Sequence, residues 1–431
     1  MKIESLYTAF LKSTSVSTDS RSIEKGALFF ALKGTHFDGN KYAEAALKKG
    51  AAYVVVDQSS GLENDERVFC VENTLNTLQE LATHHRKKLG LPIIALTGSN
   101  GKTTTKELIR EVLSKKYNVL ATSGNFNNHI GVPLTLLQLN NKHEIGVIEM
   151  GANHLKEIQR LCAIALPDWG YITNFGKAHL EGFGSEAGVV QGKSELYQHL
   201  KENKGKIVVN GNDLKQVELT KECDTFLFGD QEYNDFQISV TDPKDNSLGL
   251  EYDKYLFQSP LHGAYNLNNI AAAITFGILF DVQIEHIQDA IKFYDSKNNR
   301  SQKLNLKGIQ IILDAYNANP SSMEAALDSF SSIDPKNSAV LLGDMLELGV
   351  FADKAHENLL KRCLELKFKS IYTYGPLFEK TKKTAPNIKK YTQLETLTND
   401  LKIDLSNWNH LLIKGSRSMQ LERIITFIET L

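Results

Sequence analysis

Cysteine is scarce in this chain, with only Cys70, Cys162, Cys223 and Cys363 among 431 residues. So widely scattered, they provide neither a disulfide framework nor a metal-ligand spacing, and they suit a reducing cytoplasm. Long apolar runs are missing as well, so no segment reaches membrane-spanning length. The first residues, Met-Lys-Ile-Glu-Ser, carry early charge and lack the apolar core of a signal peptide. Neither sign of charge is in excess: 49 Lys and Arg against 51 Asp and Glu leave a formal net charge of −2. That balance argues against a nucleic-acid partner, and no cationic amphipathic stretch points to a membrane surface. Low-complexity segments and fixed-period repeats are also lacking. What is present is ordinary for a soluble globular protein, 42% hydrophobic and 23% charged, at a length that allows two to four domains.

The chain is organised around residues 97–105, Thr-Gly-Ser-Asn-Gly-Lys-Thr-Thr-Thr. An apolar run over 91–96 reads as a buried strand leading in, and 106–117 reads as a helix leading out. Strand, glycine turn, Gly-Lys-Thr and helix together describe a phosphate-binding loop. Gly98 and Gly101, with Ser99 and Asn100 between them, let backbone N–H groups approach phosphate oxygens, and the helix N-terminus favours negative charge. Lys102 can neutralise β- and γ-phosphate charge, and the Thr103 hydroxyl, followed by Thr104, can ligate Mg²⁺. The standard pattern has another glycine at position 96, where this chain has Leu96, so the motif is a shortened variant. It predicts an ATP site.

Residues 1–88 read as a first unit, with strands over 28–32 and 53–56, a helix over 41–49 ending at Gly50, and a longer helix over 72–89. Gly90, Leu91 and Pro92 punctuate its end. In the second unit, 89–300, strands over 91–96, 145–149, 171–173 and 206–209 alternate with helical stretches, which argues for a parallel sheet. Residues 226–257 are expected to add an antiparallel extension, and 265–280 a buried helix. In the third unit, 301–431, strands over 309–313, 339–342, 371–374 and 411–413 alternate with helices such as 321–330 and 353–366. It reads as a small doubly wound, Rossmann-like sheet. It has no Gly-x-Gly-x-x-Gly fingerprint, so NAD is not inferred. The expected fold class is α/β in three domains, with the phosphate loop in the central one.

Chemistry-bearing residues gather at strand ends. Glu149 closes a strand in the same sheet as the loop and can hold Mg²⁺. Another strand end leads into 173–181, Thr-Asn-Phe-Gly-Lys-Ala-His-Leu-Glu, whose His179 could ligate a cation or bond a phosphate. Asn125, Asn127 and Asn128 sit in an amide-rich stretch suited to sugars, phosphates and carboxylates, or to a plain turn. Lys193 falls on a helix, where the residue alone reads as a solvated lysine. Arg300 stands at a domain boundary and Asp314 closes the strand over 309–313, so both could reach the nucleotide when domains close. Lys414 and Arg417, in Lys-Gly-Ser-Arg, make a cationic loop fit for a carboxylate or phosphate.

Taken in order, these segments resemble the Mur ligases of bacterial cell-wall synthesis, over essentially the whole chain. That family's phosphate loop is the shortened form. The most specific segments are 314–320, Asp-Ala-Tyr-Asn-Ala-Asn-Pro, and 343–349, Gly-Asp-Met-Leu-Glu-Leu-Gly. The resemblance implies an ATP- and Mg²⁺-dependent ligase joining D-alanyl-D-alanine to UDP-N-acetylmuramoyl-tripeptide through an acyl phosphate. It implies a cytoplasmic monomer whose partners are small molecules.

The resemblance also assigns roles. Lys102 and Thr103 would handle ATP phosphates and Mg²⁺, with Glu149 and His179 serving the metals. Lys193 matches the lysine that related ligases carbamylate, a group able to help hold a second Mg²⁺. Asn266 and Asn269 match nucleotide-side asparagines, and Arg300 and Asp314 match ATP contacts from the third domain. Tyr265 stands where the family usually has histidine. Ser20 and Arg21 fall nearest the UDP group, while Asn317, Asn319, Lys414 and Arg417 fall on the substrate side. Two other classes stay open: an amide ligase of the same superfamily with another amino substrate, and a phosphate-loop switch ATPase.

Overall fold

The strand Ile93–Thr97 is buried at all five positions, the pattern of a strand covered by helices on both faces. In the computed structural model, which describes residues 2–58, 61–62, 64–241, 248–296 and 299–431, this strand lies inside a seven-stranded sheet. The order is Phe236–Gln237, Asp224–Gly229, Lys206–Asn210, Trp169–Ile172, Ile93–Thr97, Ile145–Glu149, Val119–Ala121. Every neighbouring pair runs parallel. The carboxyl end of Ile93–Thr97 is therefore flanked by those of Trp169–Ile172 and Ile145–Glu149. Loops leaving three adjacent parallel strands meet at one edge, where open α/β sheets bind ligands.

The helix after the phosphate loop spans Lys102–Leu113 and so begins at Lys102 rather than at 106. Gly101, in the left-handed region at φ 81°, forms its N-cap, which puts Lys102 and Thr103 in the first turn. The apolar face of this helix (Leu108, Ile109, Val112) packs in one core with Leu267–Leu279, the buried helix expected over 265–280.

The expected antiparallel extension over 226–257 is corrected in part. Asp224–Gly229 joins the main sheet, parallel to Lys206–Asn210. Its apolar residues continue the buried face beside that strand, with Phe228 in the same core as Val208. The antiparallel sheet is smaller: Ser239–Thr241, Leu248–Tyr252 and Tyr255–Ser259. Residues 242–247 of that expectation lie outside the described residues.

The first unit is a four-stranded parallel sheet, Val16–Ser17, Leu28–Phe30, Tyr53–Val56 and Val68–Cys70. Its long helix, Thr74–Leu89, is capped by the Asn73 side chain and ends at Gly90 in the left-handed conformation. Leu78 and Leu81 on that helix share one apolar core with Leu28 and Phe30 on one side and Ile148 and Ile158 on the other. The first sheet is thus fastened to the central unit by continuous burial.

The third unit is a six-stranded sheet in the order Gln302–Leu306, Ile309–Asp314, His410–Lys414, Ser338–Gly343, Ser370–Tyr374, Ile388–Tyr391. Only the first strand is antiparallel. The register sets Asp314 beside Lys414 at the carboxyl ends of neighbouring strands. Gln302–Leu306 and Ile388–Tyr391 were not expected, because short edge strands with charged positions carry little apolar periodicity. Among the described residues, no helix is long and apolar enough to cross a membrane.

Candidate active site

The phosphate loop is held by the strand end beside it. Thr173 Oγ1 and Asn174 Nδ2 both donate to Asn100 O, while the Asn100 and Ser99 N–H groups donate to Asn174 Oδ1 and Asn174 O. Glycine is required where this frame closes in: a Cβ on Gly98 would lie 2.0 Å from Thr173 Oγ1, and one on Gly101 2.6 Å from Asn269 Oδ1. Lys102 Nζ donates to Gly98 O at 2.6 Å and Ser99 O at 3.2 Å. Its burial in the loop lowers the ammonium pKa to about 8. From the helix Leu267–Leu279, Asn269 Oδ1 accepts from Thr105 Oγ1, and Asn269 Nδ2 donates to Asn266 Oδ1. These two asparagines brace the helix that carries Lys102 and Thr103.

Glu149 is buried at its strand end and accepts from Thr103 Oγ1 and Asn127 Nδ2, each at 2.8 Å. Sequence reasoning passed over what holds it. Lys106, almost wholly buried, donates to Thr122 O, and Thr122 Oγ1 accepts from the Glu149 N–H. His179 begins the next turn with φ 52°, and its Nδ1 lies 2.5 Å from Glu347 Oε2 of the third domain. That imidazole holds the Glu347 carboxyl below its usual range.

Lys193 is not the solvated lysine that the residue alone suggests. It is fully buried on the helix Glu186–Glu202, and its Nζ donates to Ala152 O at 3.1 Å and lies 5.3 Å from the Phe183 ring centroid. Burial pushes its pKa well below the usual ammonium range.

Third-domain groups complete the wall. The Arg300 guanidinium stacks 3.7 Å from the Tyr316 ring centroid, and its buried Nε has no partner among the described residues. Asp314 accepts from Lys414 Nζ at 2.5 Å and from the Ser301 N–H at 3.3 Å. Ser301 Oγ in turn meets Tyr265 OH at 2.8 Å, so the residue that departs from the family pattern ties the central domain to the interdomain linker. Asn319 caps the helix Pro320–Ser331, and its Nδ2 donates to Asn100 Oδ1 at 2.7 Å. Ser321 Oγ accepts from the Lys177 N–H.

One cleft of about 1000 Å³ gathers all the residues expected in the second and third domains except Gly98, Lys193 and Arg417. Gly98 and Lys193 lie just behind its wall through their contacts with Lys102 and Ala152. Arg417 lies outside the cleft lining, exposed and paired with Glu422 five residues on. Asn128 Oδ1 accepts from the N–H groups of Ile130 and Gly131, so its oxygen serves the turn, while Asn125 is exposed at the cleft mouth. Ser20 and Arg21 lie in the loop between Val16–Ser17 and Leu28–Phe30 of the first unit and do not line the cleft. Arg21 is exposed and clamps Asp19, holding that carboxyl down to about 2, and Ser20 O accepts from Lys49 Nζ.

The donor set fits Mg²⁺. That ion takes hard oxygens, keeps several waters and usually uses one or two protein groups plus substrate phosphates. A buried carboxylate and a hydroxyl 2.8 Å apart beside a phosphate loop answer this, although no cluster of three or more acidic, histidine or cysteine ligands occurs among the described residues.

A parallel sheet with a phosphate loop, a carboxylate on the adjacent strand and a docked third domain is the arrangement of an ATP-dependent ligase. Family models for the Mur ligase catalytic domain, middle domain and glutamate ligase domain match residues 12–86, 96–277 and 299–417. The chain belongs to the Mur ligase family. It is 36% identical to the UDP-N-acetylmuramoyl-tripeptide–D-alanyl-D-alanine ligase of Bacillus subtilis, over 95% of this chain and 92% of that one. The fold is similar to MurF from Acinetobacter baumannii, at TM-score 0.87 and 28% identity over 100% and 99% of the two chains. It is also similar to the MurF ligase of Thermotoga maritima in complex with ADP, at TM-score 0.85 and 30% identity over 98% of each.

Proposed function

We propose that this chain joins D-alanyl-D-alanine to UDP-N-acetylmuramoyl-tripeptide at the expense of ATP, as a cytoplasmic monomer whose single chain supplies every wall of the cleft. The observation that carries the reading is the convergence of Lys102, Glu149, His179, Arg300 and Asp314 on one cleft in a chain with full-length relatives of that name.

A carboxylate is a poor electrophile and must be activated before an amine can displace oxygen from it. The ATP phosphates rest on the N–H groups of the loop from Gly98 to Thr104, with Lys102 offsetting their charge. When bound, Mg²⁺ supplies further charge neutralisation, held by Thr103, Glu149 and His179 and, if Lys193 is carbamylated, by that carbamate. Arg300 and Asp314 reach the nucleotide from the third domain, and Asn266 and Asn269 support it from the second. Ser20 and Arg21 serve the UDP end. Asn125, Asn127, Asn128, Asn317, Asn319 and Lys414 border the substrates, Asn319 chiefly through its grip on Asn100.

The terminal carboxylate of the tripeptide attacks the γ-phosphorus in line, the bond to ADP breaks, and an acyl phosphate forms. The dipeptide amine then attacks the acyl carbon, a C–N bond forms, a proton is lost and phosphate leaves. The protein positions the reactants and keeps water from the acyl phosphate.

Purified chain supplied with ATP, Mg²⁺ and UDP-N-acetylmuramoyl-tripeptide should release ADP at its full rate only when D-alanyl-D-alanine is added, and mass spectrometry should show the pentapeptide product. Faster ADP release with a single amino acid or glutamate would assign another amino substrate. Release without any UDP-linked peptide would favour a switch ATPase.

A further inference from the structure

We propose that Glu347 is a positioning residue for the metal site, so that this site is complete only when the third domain is docked. The inference rests on His179 as a Mg²⁺ ligand, as read above.

An imidazole has two nitrogens, and the partner of one decides what the other can do. His179 Nδ1 lies 2.5 Å from Glu347 Oε2, an ion-pair contact without the alignment of a hydrogen bond. A carboxylate that close favours the proton on Nδ1, leaves the lone pair on Nε2 and restrains the ring. This is how carboxylates behind metal-bound histidines set tautomer and orientation. The carboxylate comes from another domain, 168 residues along the chain, so the second and third domains must meet before it can act.

The loop that carries Glu347 is fastened from behind. Asp344 accepts from the N–H groups of Leu377 and Phe378, at 2.8 and 2.9 Å. The Met345 N–H donates to Nε2 of the fully buried His356, and the Leu346 N–H donates to Ser416 Oγ, both at 3.0 Å. Glu347 itself sits at φ 62°, a conformation that non-glycine residues adopt only when their surroundings impose it. The loop is thus held at three consecutive residues, through the Asp344 side chain and the Met345 and Leu346 N–H groups, and the Glu347 side chain is delivered across the domain boundary. Two neighbouring contacts register the same docking: Asn319 to Asn100 on the phosphate loop, and Ser321 to Lys177 two residues before His179. One loop and one helix cap of the third domain therefore touch both halves of the expected phosphate and metal site.

The test is a Mn²⁺ titration of the full chain saturated with a non-hydrolysable ATP analogue, with free ion read by electron paramagnetic resonance. Glu347→Ala should weaken Mn²⁺ binding about tenfold, the effect usual for removing a partner behind a metal-bound histidine. Glu347→Gln should recover most of the loss, because its amide oxygen still accepts the Nδ1 proton. Unchanged affinity in Glu347→Ala, alongside a loss in His179→Ala, would overturn the inference and leave His179 as a ligand. A Glu347→Gln variant as weak as Glu347→Ala would also overturn it, by showing that the charge and not the acceptor matters. If His179→Ala itself binds Mn²⁺ normally, the metal-ligand reading beneath the inference fails instead.

Discussion

Lys102→Ala is expected to cut ADP release, with both substrates present, by roughly a thousandfold or more, on the scale of removing a preorganised charge donor from a transferring group. On that scale the loss corresponds to about 4 kcal/mol of transition-state stabilisation. The side chain leaves the first turn of the helix Lys102–Leu113, and its ammonium rests on two carbonyls of its own loop, Gly98 O and Ser99 O. Those bonds curl the lysine over the strand-to-helix turn where backbone N–H groups converge. Burial there favours the neutral amine, with the pKa lowered to about 8, so an arriving polyphosphate gives the ammonium the counter-charge it lacks. The substitution removes that charge and its two bonds to loop carbonyls, but it leaves the bonds from Thr173, Asn174 and Asn269 that hold the loop and its helix. Lys102→Ala should therefore keep its fold, seen as an unchanged circular dichroism spectrum, while a coupled ADP assay falls to background. Near-normal turnover would remove Lys102 from its assigned role.

Lys193→Ala should be nearly as damaging, and its signature is rescue. A lysine with no exposed surface, whose one hydrogen-bond acceptor among the described residues is Ala152 O, has lost the solvation that keeps an ammonium charged. Burial dominates its lowered pKa, and the nearby Lys102 charge adds to it. A neutral amine is the form that can attack carbon dioxide: a C–N bond forms, a proton leaves, and a cation becomes an anionic carbamate. We expect Lys193→Ala to lose at least about a hundredfold in turnover, the range for an electrostatic group in a water-excluded site. Millimolar acetate or formate should return part of it by placing a carboxylate where the carbamate would be. Full activity without rescue would return Lys193 to a structural role. A loss with no rescue, together with a lowered unfolding temperature, would mark it as a core residue.

Much of this site could be read from the chain because its parts are local. Ile93–Thr97 announces itself by continuous burial, the loop after it by glycine and Gly-Lys-Thr, and Glu149 by closing a neighbouring strand. The helix expected over 321–330 is likewise found, as Pro320–Ser331. Groups whose roles depend on distant partners were illegible. Asn319 looked like a substrate amide, but its donor is committed to Asn100, 219 residues away. Lys414 reads as part of a cationic loop for a substrate carboxylate or phosphate, and parallel register sets it against Asp314. Glu347 sat in a quoted motif without a role until the third domain brought it to His179. Arg417, expected on the substrate side, pairs instead with Glu422, close in sequence but off the strand edge. The short edge strands Gln302–Leu306 and Ile388–Tyr391 escaped because pairing, not periodicity, defines them.

Oxygen tracing reports most directly on whether the tripeptide carboxylate is phosphorylated before the dipeptide amine arrives. UDP-N-acetylmuramoyl-tripeptide labelled with ¹⁸O in its terminal carboxylate would be turned over with ATP, Mg²⁺ and D-alanyl-D-alanine, and the released phosphate weighed by mass spectrometry. Attack on the γ-phosphorus predicts one ¹⁸O carried into each phosphate, with the other retained in the new amide. Phosphate free of label would mean that water, not the carboxylate, had met the nucleotide.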